Sequence, residues 1–214
     1  MFPIIAPINY QAIAKELAEK NYVVIDHFIP FDDSVELLAL LNERKFDGAF
    51  RPAAIGKSGE KEIIQDIRSD QIHWLDENDT SDVVKAWFER VSLLSTTLKE
   101  QLFLPLKRFE CHFAHYPHGT FYKKHIDAFR LSEGRLLSVI GYLTPNWQIG
   151  DGGELLIYDH TIQPASKQPV IKAIEPIMGR LVILRSDTVP HEVALSKTDR
   201  YSITGWLRQD ELLF

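Results

Sequence analysis

The sequence predicts a mostly β, α+β domain: an antiparallel β core supported by helices from the N-terminal part of the chain. Three observations point there. From Phe109 onward, short β-branched and aromatic runs follow one another. Turn signals punctuate them at Pro117–Gly119, Pro145–Asn146, Gly150–Gly153, Pro176 and Pro190. Before Phe109, apolar residues instead recur at helical spacing. Many short strands with such turns make a sandwich, jelly roll or barrel.

The elements follow in order. Tyr10, Ile13 and Leu17 fall on one helical face, and Asn21 is suited to close that helix. Tyr22 to Phe28 is a short strand that ends before Pro30. Asp32, Asp33 or Ser34 caps a second helix with Val35, Leu38 and Leu41 on one side. Arg51 to Glu62 has little to bury and reads as a surface loop, either a lid or a plain excursion. Ser81 begins a longer helix whose stripe is Val84, Trp87, Phe88, Val91, Leu94 and Leu98, a pattern for packing on a sheet. The strands expected after it are Phe109–Tyr116, Phe121–Ile126, Leu136–Leu143, Glu154–Tyr158, Arg180–Leu184, Glu192–Ala194 and Tyr201–Leu207. Neither internal repeats nor low-complexity segments occur, so one domain over residues 1–214 is the simplest account.

Composition narrows the function. With 45% hydrophobic and 25% charged residues the chain is an ordinary globular one. A formal charge of −6 and the absence of a basic-aromatic stripe argue against nucleic acid as a partner. The lone Cys111 excludes an intramolecular disulfide, fits a reducing compartment and sits in an apolar run as a buried side chain. Met1 to Ile8 is apolar but lacks a basic leader and a small-residue cleavage site, so it does not read as a signal peptide. No apolar run approaches the roughly 18 residues of a membrane span. A cytoplasmic protein with no membrane contact is the expectation.

The chemistry begins at His125-Ile126-Asp127. Residues two apart on a strand share a face, so this imidazole and carboxylate can meet one metal ion. Alone the pattern is weak: 8 histidines and 30 acidic residues among 214 give roughly one such triplet by chance. His191, after Pro190 at a turn into a late strand, adds a second imidazole. Two histidines and one carboxylate suit iron(II) with open coordination positions. His112, His115 and His118 lack an acidic residue two positions on, and His27, His73 and His160 read as surface or packing residues. On the last strand Arg200, Ser202 and Thr204 share one face while Tyr201 and Ile203 share the other. A charged, polar face so late in an apolar core needs a partner, and a guanidinium binds carboxylates in bidentate fashion. Tyr116, Tyr122 and Tyr142 bring hydroxyls near the same strands, and Gly152-Gly153 makes a tight turn before the Glu154 strand.

In these motifs the chain resembles the 2-oxoglutarate and iron(II) dioxygenases, and among them the oxygen-sensing prolyl hydroxylases and their bacterial relatives. The likeness rests on His125-x-Asp127, Gly153-Glu154-Leu155, Pro190-His191-Glu192-Val193 and Arg200-Tyr201-Ser202-Ile203-Thr204-Gly205-Trp206, and extends upstream to Asp66-Ile67-Arg68-Ser69-Asp70 with Trp74. It implies a double-stranded β-helix (jelly roll) core over 106–214, with 1–105 giving helical support, the first strands and a substrate loop. It implies that His125, Asp127 and His191 are the iron ligands. Arg200 matches the partner of the distal 2-oxoglutarate carboxylate, and Tyr142, Thr204 and Tyr116 match residues lining the cosubstrate pocket. Arg68, Asp70 and Trp206 match positions at substrate entry and the pocket wall, and the Arg51–Glu62 loop holds the place of a mobile substrate loop. The cofactors implied are Fe(II), 2-oxoglutarate and O2, with ascorbate as an accessory. The activity implied is hydroxylation of prolyl residues in a protein or peptide, with a free amino acid or other small molecule as the alternative substrate. A cupin-like metal-binding protein is the alternative outside that chemistry. The turn between Tyr116 and Tyr122 is about a residue shorter than in the animal enzymes, and Ala128 to Arg135 differs in composition; both departures border the entrance.

Overall fold

The computed structural model describes residues 7–53, 66–128 and 134–210. Residues 54–62 of the expected Arg51–Glu62 substrate loop and residues 129–133 of the divergent segment after Asp127 lie outside the described residues. Of the three α-helices among the described residues, only the first is started by a side-chain cap. Helix α1 (Tyr10–Lys20) starts with the Asn9 side chain accepting from the Ala12 N–H and stops at Asn21, left-handed at φ 63°. It buries Ile13, Ala14 and Leu17. Helix α2 (Phe31–Phe46) has Pro30 as its cap, two residues before the first expected cap, Asp32, and Asp32 and Asp33 in its first turn suit the helix dipole. Its buried side is Ser34, Leu37 and Leu41, not the expected stripe: Val35 is 44% exposed. Helix α3 (Asp82–Leu102) follows Ser81 and buries Val83, Val84, Trp87, Val91, Leu94 and Leu98.

Among the described residues the strands are β1 (Tyr22–Ile25), β2 (Arg51–Pro52), β3 (Gln71–Leu75), β4 (Arg108–Tyr116), β5 (Tyr122–His125), β6 (Arg135–Tyr142), β7 (Leu155–Tyr158), β8 (Val170–Ile174), β9 (Leu181–Arg185), β10 (His191–Val193) and β11 (Arg200–Arg208). They pair antiparallel in two sheets, β1-β9-β6-β11-β4-β3-β2 and β5-β10-β7-β8. The first strand is shorter than expected, ending at Ile25, and Phe28 is a fully buried residue beyond it. Strands β2, β3 and β8 were not expected as strands. Strand β8 is an edge strand with one buried residue, Ile174, and β3 buries only Leu75, so neither carries the apolar alternation that marks a strand.

Two apolar clusters explain the layering. One joins Cys111, Phe113, Leu137, Val139, Leu181, Ile183, Ile203 and Leu207 of the large sheet to the helices through Leu17, Leu41, Trp87, Val91 and Leu94. The other lies between the sheets and joins Ala114, Tyr116, Ile140, Tyr142, Val182 and Leu184 to Leu155, Ile157, Ile174 and Val193. Alternate residues of each central strand therefore serve alternate clusters. This is the jelly roll with helical support on the back of its large sheet. No helix among the described residues is long and apolar enough to cross a membrane.

Candidate active site

Strand register brings the candidate ligands together between the sheets. His125 ends β5 and His191 begins β10, and the two are paired directly across the ladder, their ring centroids 4.3 Å apart. Asp127 lies just beyond β5 in a bend. One donor atom from each of the three lies within 4.8 Å of the others. Asp127 Oδ1 is 3.4 Å from His125 Nε2, and Oδ2 is 3.7 Å from His191 Nε2.

Both imidazoles are oriented by the backbone. His125 Nδ1 lies 2.7 Å from the Lys123 carbonyl and His191 Nδ1 lies 3.0 Å from that of Val189. A carbonyl only accepts, so each Nδ1 donates to it, and each Nε2 is left facing Asp127. Tyr122 stacks on His125 at 3.5 Å between centroids. Asp127 Oδ2 accepts from the Ser138 hydroxyl at 2.5 Å and from the Trp206 indole at 3.1 Å. Ser138 in turn meets the Ser186 hydroxyl at 2.8 Å. Burial pushes the Asp127 carboxyl up, but His191, His125 and Ser138 together outweigh it and hold it well below the usual carboxylate range. Burial, then the neighbouring His125, lowers His191 to about 4 against the pull of Asp127. At neutral pH the carboxylate is ionised and the His191 ring is neutral, as metal binding requires. This donor set, two imidazoles and one carboxylate, fits iron(II).

The polar face of β11 points into the same cavity. Arg200, Ser202, Thr204 and Trp206 oppose Tyr116, Ala114, His112 and Glu110 on β4, and Ser202, Thr204 and Trp206 oppose Tyr142, Ile140 and Ser138 on β6. Arg200 is only 3% exposed. Its Nε donates to the Gly153 carbonyl at 2.9 Å, and its guanidinium lies 4.8 Å from the Tyr116 ring centroid and 5.0 Å from that of Tyr142. No carboxylate of the described residues pairs with it. The Tyr142 hydroxyl is buried beside it with no acceptor for its proton among the described residues. A buried cation without an anion and a buried O–H without an acceptor together fit the distal carboxylate of 2-oxoglutarate. Gly153 holds φ +74°, and a Cβ there would come within 2.6 Å of Ser196 Oγ and 3.0 Å of Arg200 Cδ, so only glycine seats the arginine. Thr204 lines the cavity with its hydroxyl 3.2 Å from that of Ser202.

The residues expected at substrate entry divide. Arg68 lines the cavity, but its guanidinium forks onto Asp70 at 2.6 and 2.9 Å and lies 4.7 Å from the Tyr122 ring centroid. Asp70 is 1% exposed and committed to that pair. Trp206 is 5% exposed and forms a wall, with its N–H turned to Asp127. Ser138, His112 and Arg135 went unrecognised in the sequence. His112 lines the cavity, packed 4.9 Å from Trp74 and 5.5 Å from Trp206, and Arg135 lies 3.5 Å from the Trp206 ring centroid. Strand parity was the signal for His112 and Ser138, which share a face with Tyr116 and Tyr142; Arg135 has the other parity and pairs with Arg208 only across a register shift, which the sequence does not show. Cys111, as expected, is buried, and burial pushes its thiol up.

Comparison with known proteins agrees with this geometry. Residues 111–208 match the model of the 2OG-Fe(II) oxygenase superfamily. A Pseudomonas putida prolyl-4-hydroxylase is similar at 32% identity and TM-score 0.82 over 95% of this chain and 100% of that one. A prolyl hydroxylase from Trichoplax adhaerens, solved with a hypoxia inducible factor oxygen degradation domain peptide fragment, has TM-score 0.81 at 27% identity over 94% of this chain and 89% of that one. The Hypoxia-inducible factor prolyl hydroxylase of Caenorhabditis elegans is 31% identical over 91% of this chain, which spans 27% of that longer protein. With a jelly roll, a two-histidine, one-carboxylate cluster and, in the same cavity, an arginine that no carboxylate of the described residues meets, the chain belongs to the 2OG-Fe(II) oxygenase superfamily.

Proposed function

We propose that this chain is an iron(II)- and 2-oxoglutarate-dependent dioxygenase that hydroxylates prolyl residues of a peptide or protein, with His125, Asp127 and His191 as its metal ligands. One observation carries the reading: a buried Arg200, without a carboxylate partner among the described residues, shares a cavity with three convergent metal donors. The resemblance to prolyl hydroxylases from bacteria and animals supports the substrate class.

When bound, iron(II) supplies the redox chemistry that couples oxidative decarboxylation of 2-oxoglutarate, giving succinate and carbon dioxide, to insertion of one oxygen atom into a C–H bond. The chain's own residues supply geometry. His125, Asp127 and His191 would hold the ion where they line the cavity. Arg200 anchors the far carboxylate of the cosubstrate, with Tyr142 donating its proton to the same group. Tyr116 and Thr204 shape the space between, while Trp206, His112 and Leu155 wall it against water. Arg68, held by Asp70, presents a fixed cation beside the metal site where an extended substrate enters. We place residues 1–214 in one oxygenase unit, because α1 and α3 pack on the back of the sheet that carries Arg200. The buried, unpaired thiol of Cys111 suits a cytoplasmic setting.

The test has two parts. Anaerobic addition of iron(II) and 2-oxoglutarate should produce the visible charge-transfer band of that complex, and a folded protein without the band would overturn the assignment. Proline-containing peptides should then gain about 16 Da, the mass of one oxygen atom inserted into a C–H bond. Succinate formed with free amino acids but never with such peptides would replace the prolyl reading by the small-molecule one.

A further inference from the structure

We propose that Glu110 is a positioning residue of the metal site, acting on Asp127 through Arg135 and Trp206. The proposal rests on the oxygenase reading above. Glu110 lies directly opposite Trp206 in the β4–β11 ladder, so both side chains stand on the cavity face. Three guanidinium groups converge on its carboxylate. Arg208 Nη1 donates to Oε1 at 2.7 Å, Arg135 reaches the same oxygen from Nη2 and Nε at 3.0 and 3.1 Å, and Arg108 Nη1 donates to Oε2 at 3.3 Å. Arg108 and Arg208 are also tied to Asp210, at 3.0 and 2.7 Å. Arg135 has no carboxylate besides Glu110 among the described residues, so Glu110 alone fixes its plane.

That plane matters because the Arg135 guanidinium lies 3.5 Å from the Trp206 ring centroid. A cation at that distance from the ring holds the indole in place and draws electron density from it, which makes the N–H a better donor. The N–H is spent on Asp127 Oδ2, the oxygen that also accepts from Ser138. With Oδ2 held twice, Asp127 cannot rotate freely, and Oδ1, 3.4 Å from His125 Nε2, is the oxygen presented to a metal. The chain of contacts is thus carboxylate, guanidinium, indole, carboxylate, and each link is within contact distance. A surface ion pair has no need of such a path. Here a charged cluster at one end of three strands ends on a candidate metal ligand.

The experiment is anaerobic titration of iron(II) into the full chain with saturating 2-oxoglutarate, followed by the charge-transfer band, for wild type, Glu110→Gln, Trp206→Phe and the double variant. Losing a group that orients a ligand weakens metal binding by about 10- to 100-fold. Trp206→Phe, which removes the N–H itself, should weaken iron(II) about tenfold; Glu110→Gln, one step further back, about threefold with a displaced band. In the double variant the loss should equal that of Trp206→Phe alone, because the path is already cut. Multiplication of the two effects, or a Glu110→Gln protein with wild-type iron affinity and band, would overturn the proposal. So would a Glu110→Gln protein that loses only peptide affinity, which would make Arg135 a substrate contact and no more. If Glu110→Gln does not fold, Arg135→Lys keeps the charge but not the flat guanidinium; it should give the same threefold loss, and wild-type behaviour there is equally fatal. A wild-type band in all runs keeps the oxygenase reading standing whichever way the variants fall.

Discussion

Replacing Arg200 by methionine separates ligand binding from folding in a way the structure makes quantitative. In the ligand-free protein Arg200 is a buried cation whose partners are one carbonyl, that of Gly153, and the faces of Tyr116 and Tyr142. Those contacts offset only part of a desolvation cost of several kcal/mol. Methionine fills a similar volume without charge, so the ligand-free variant should be as stable as wild type within about 1 kcal/mol, or more stable. Cosubstrate binding should respond in the opposite direction. Removing one partner of a buried charge pair costs roughly 2–5 kcal/mol; at about 3 kcal/mol the dissociation constant for 2-oxoglutarate rises about 150-fold. Iron(II) affinity should stay unchanged, since Arg200 touches none of the three ligands. Denaturant unfolding with and without 2-oxoglutarate, under anaerobic iron(II), reads both effects at once. At a cosubstrate concentration 100 times the wild-type dissociation constant, wild type gains about 2.7 kcal/mol and the variant almost nothing. A ligand-free variant that loses more than about 3 kcal/mol, or one that binds 2-oxoglutarate within about threefold of wild type, would refute the reasoning.

Asp127→Ala should abolish the iron-dependent band while circular dichroism shows the helix and strand content intact; a retained band would remove Asp127 from the ligand set. Gly153→Ala puts a Cβ 2.6 Å from Ser196 Oγ at φ +74°, and should cost about 1–3 kcal/mol in denaturant unfolding together with loss of 2-oxoglutarate binding. Lowering the pH should destabilise the ligand-free protein well before its carboxylates titrate. Burial first, and neighbouring cations second, depress His73, His112 and His115, while burial and His125 bring His191 to about 4. An unfolded histidine takes up its proton near pH 6.5, so between about 6.5 and 4 the unfolded chain binds more protons than the folded one, and stability falls with pH. His191 alone accounts for roughly 3 kcal/mol across that window. A melting temperature that stays level from about pH 7.5 to about pH 5 would contradict the depressed imidazoles.

The sequence made the central strands legible because each is buried on both faces by different partners. Ile203 and Leu207 face the helices while Arg200, Ser202 and Thr204 face the cavity, so the polarity of β11 is visible in its alternation alone. The same logic failed at the rim. In β3 only Leu75 is buried, and in β8 only Ile174, so hydrophobicity leaves no period to read; only the pairing of β3 with β4 and of β8 with β7 makes them strands. On α2 the alternate reading of the face arose because Ser34, which donates to the Pro30 carbonyl at 2.9 Å, occupies a buried position that an apolar count passes over.

The site divides along the same line, between properties of one strand and properties of a pairing. His125 and Asp127 are two residues apart and announce themselves; Ser138 is 11 positions from Asp127 and Trp206 is 79 away, yet both donate to the same carboxylate oxygen. Arg68 and Arg200 make the contrast chemical. Both line the cavity, although the resemblance implied substrate entry for Arg68 and cosubstrate binding for Arg200. Arg68 carries its own carboxylate two residues on, and Asp70 satisfies it at 2.6 and 2.9 Å. Arg200 has Asp199 beside it in sequence, but strand alternation turns Asp199 to the opposite side of the sheet, where it meets His115 and the Tyr201 hydroxyl. The alternation of one strand therefore keeps a neighbouring anion away from the buried guanidinium, so that among the described residues Arg200, and not Arg68, is the cavity arginine without a carboxylate, which is what the proposed diacid site needs.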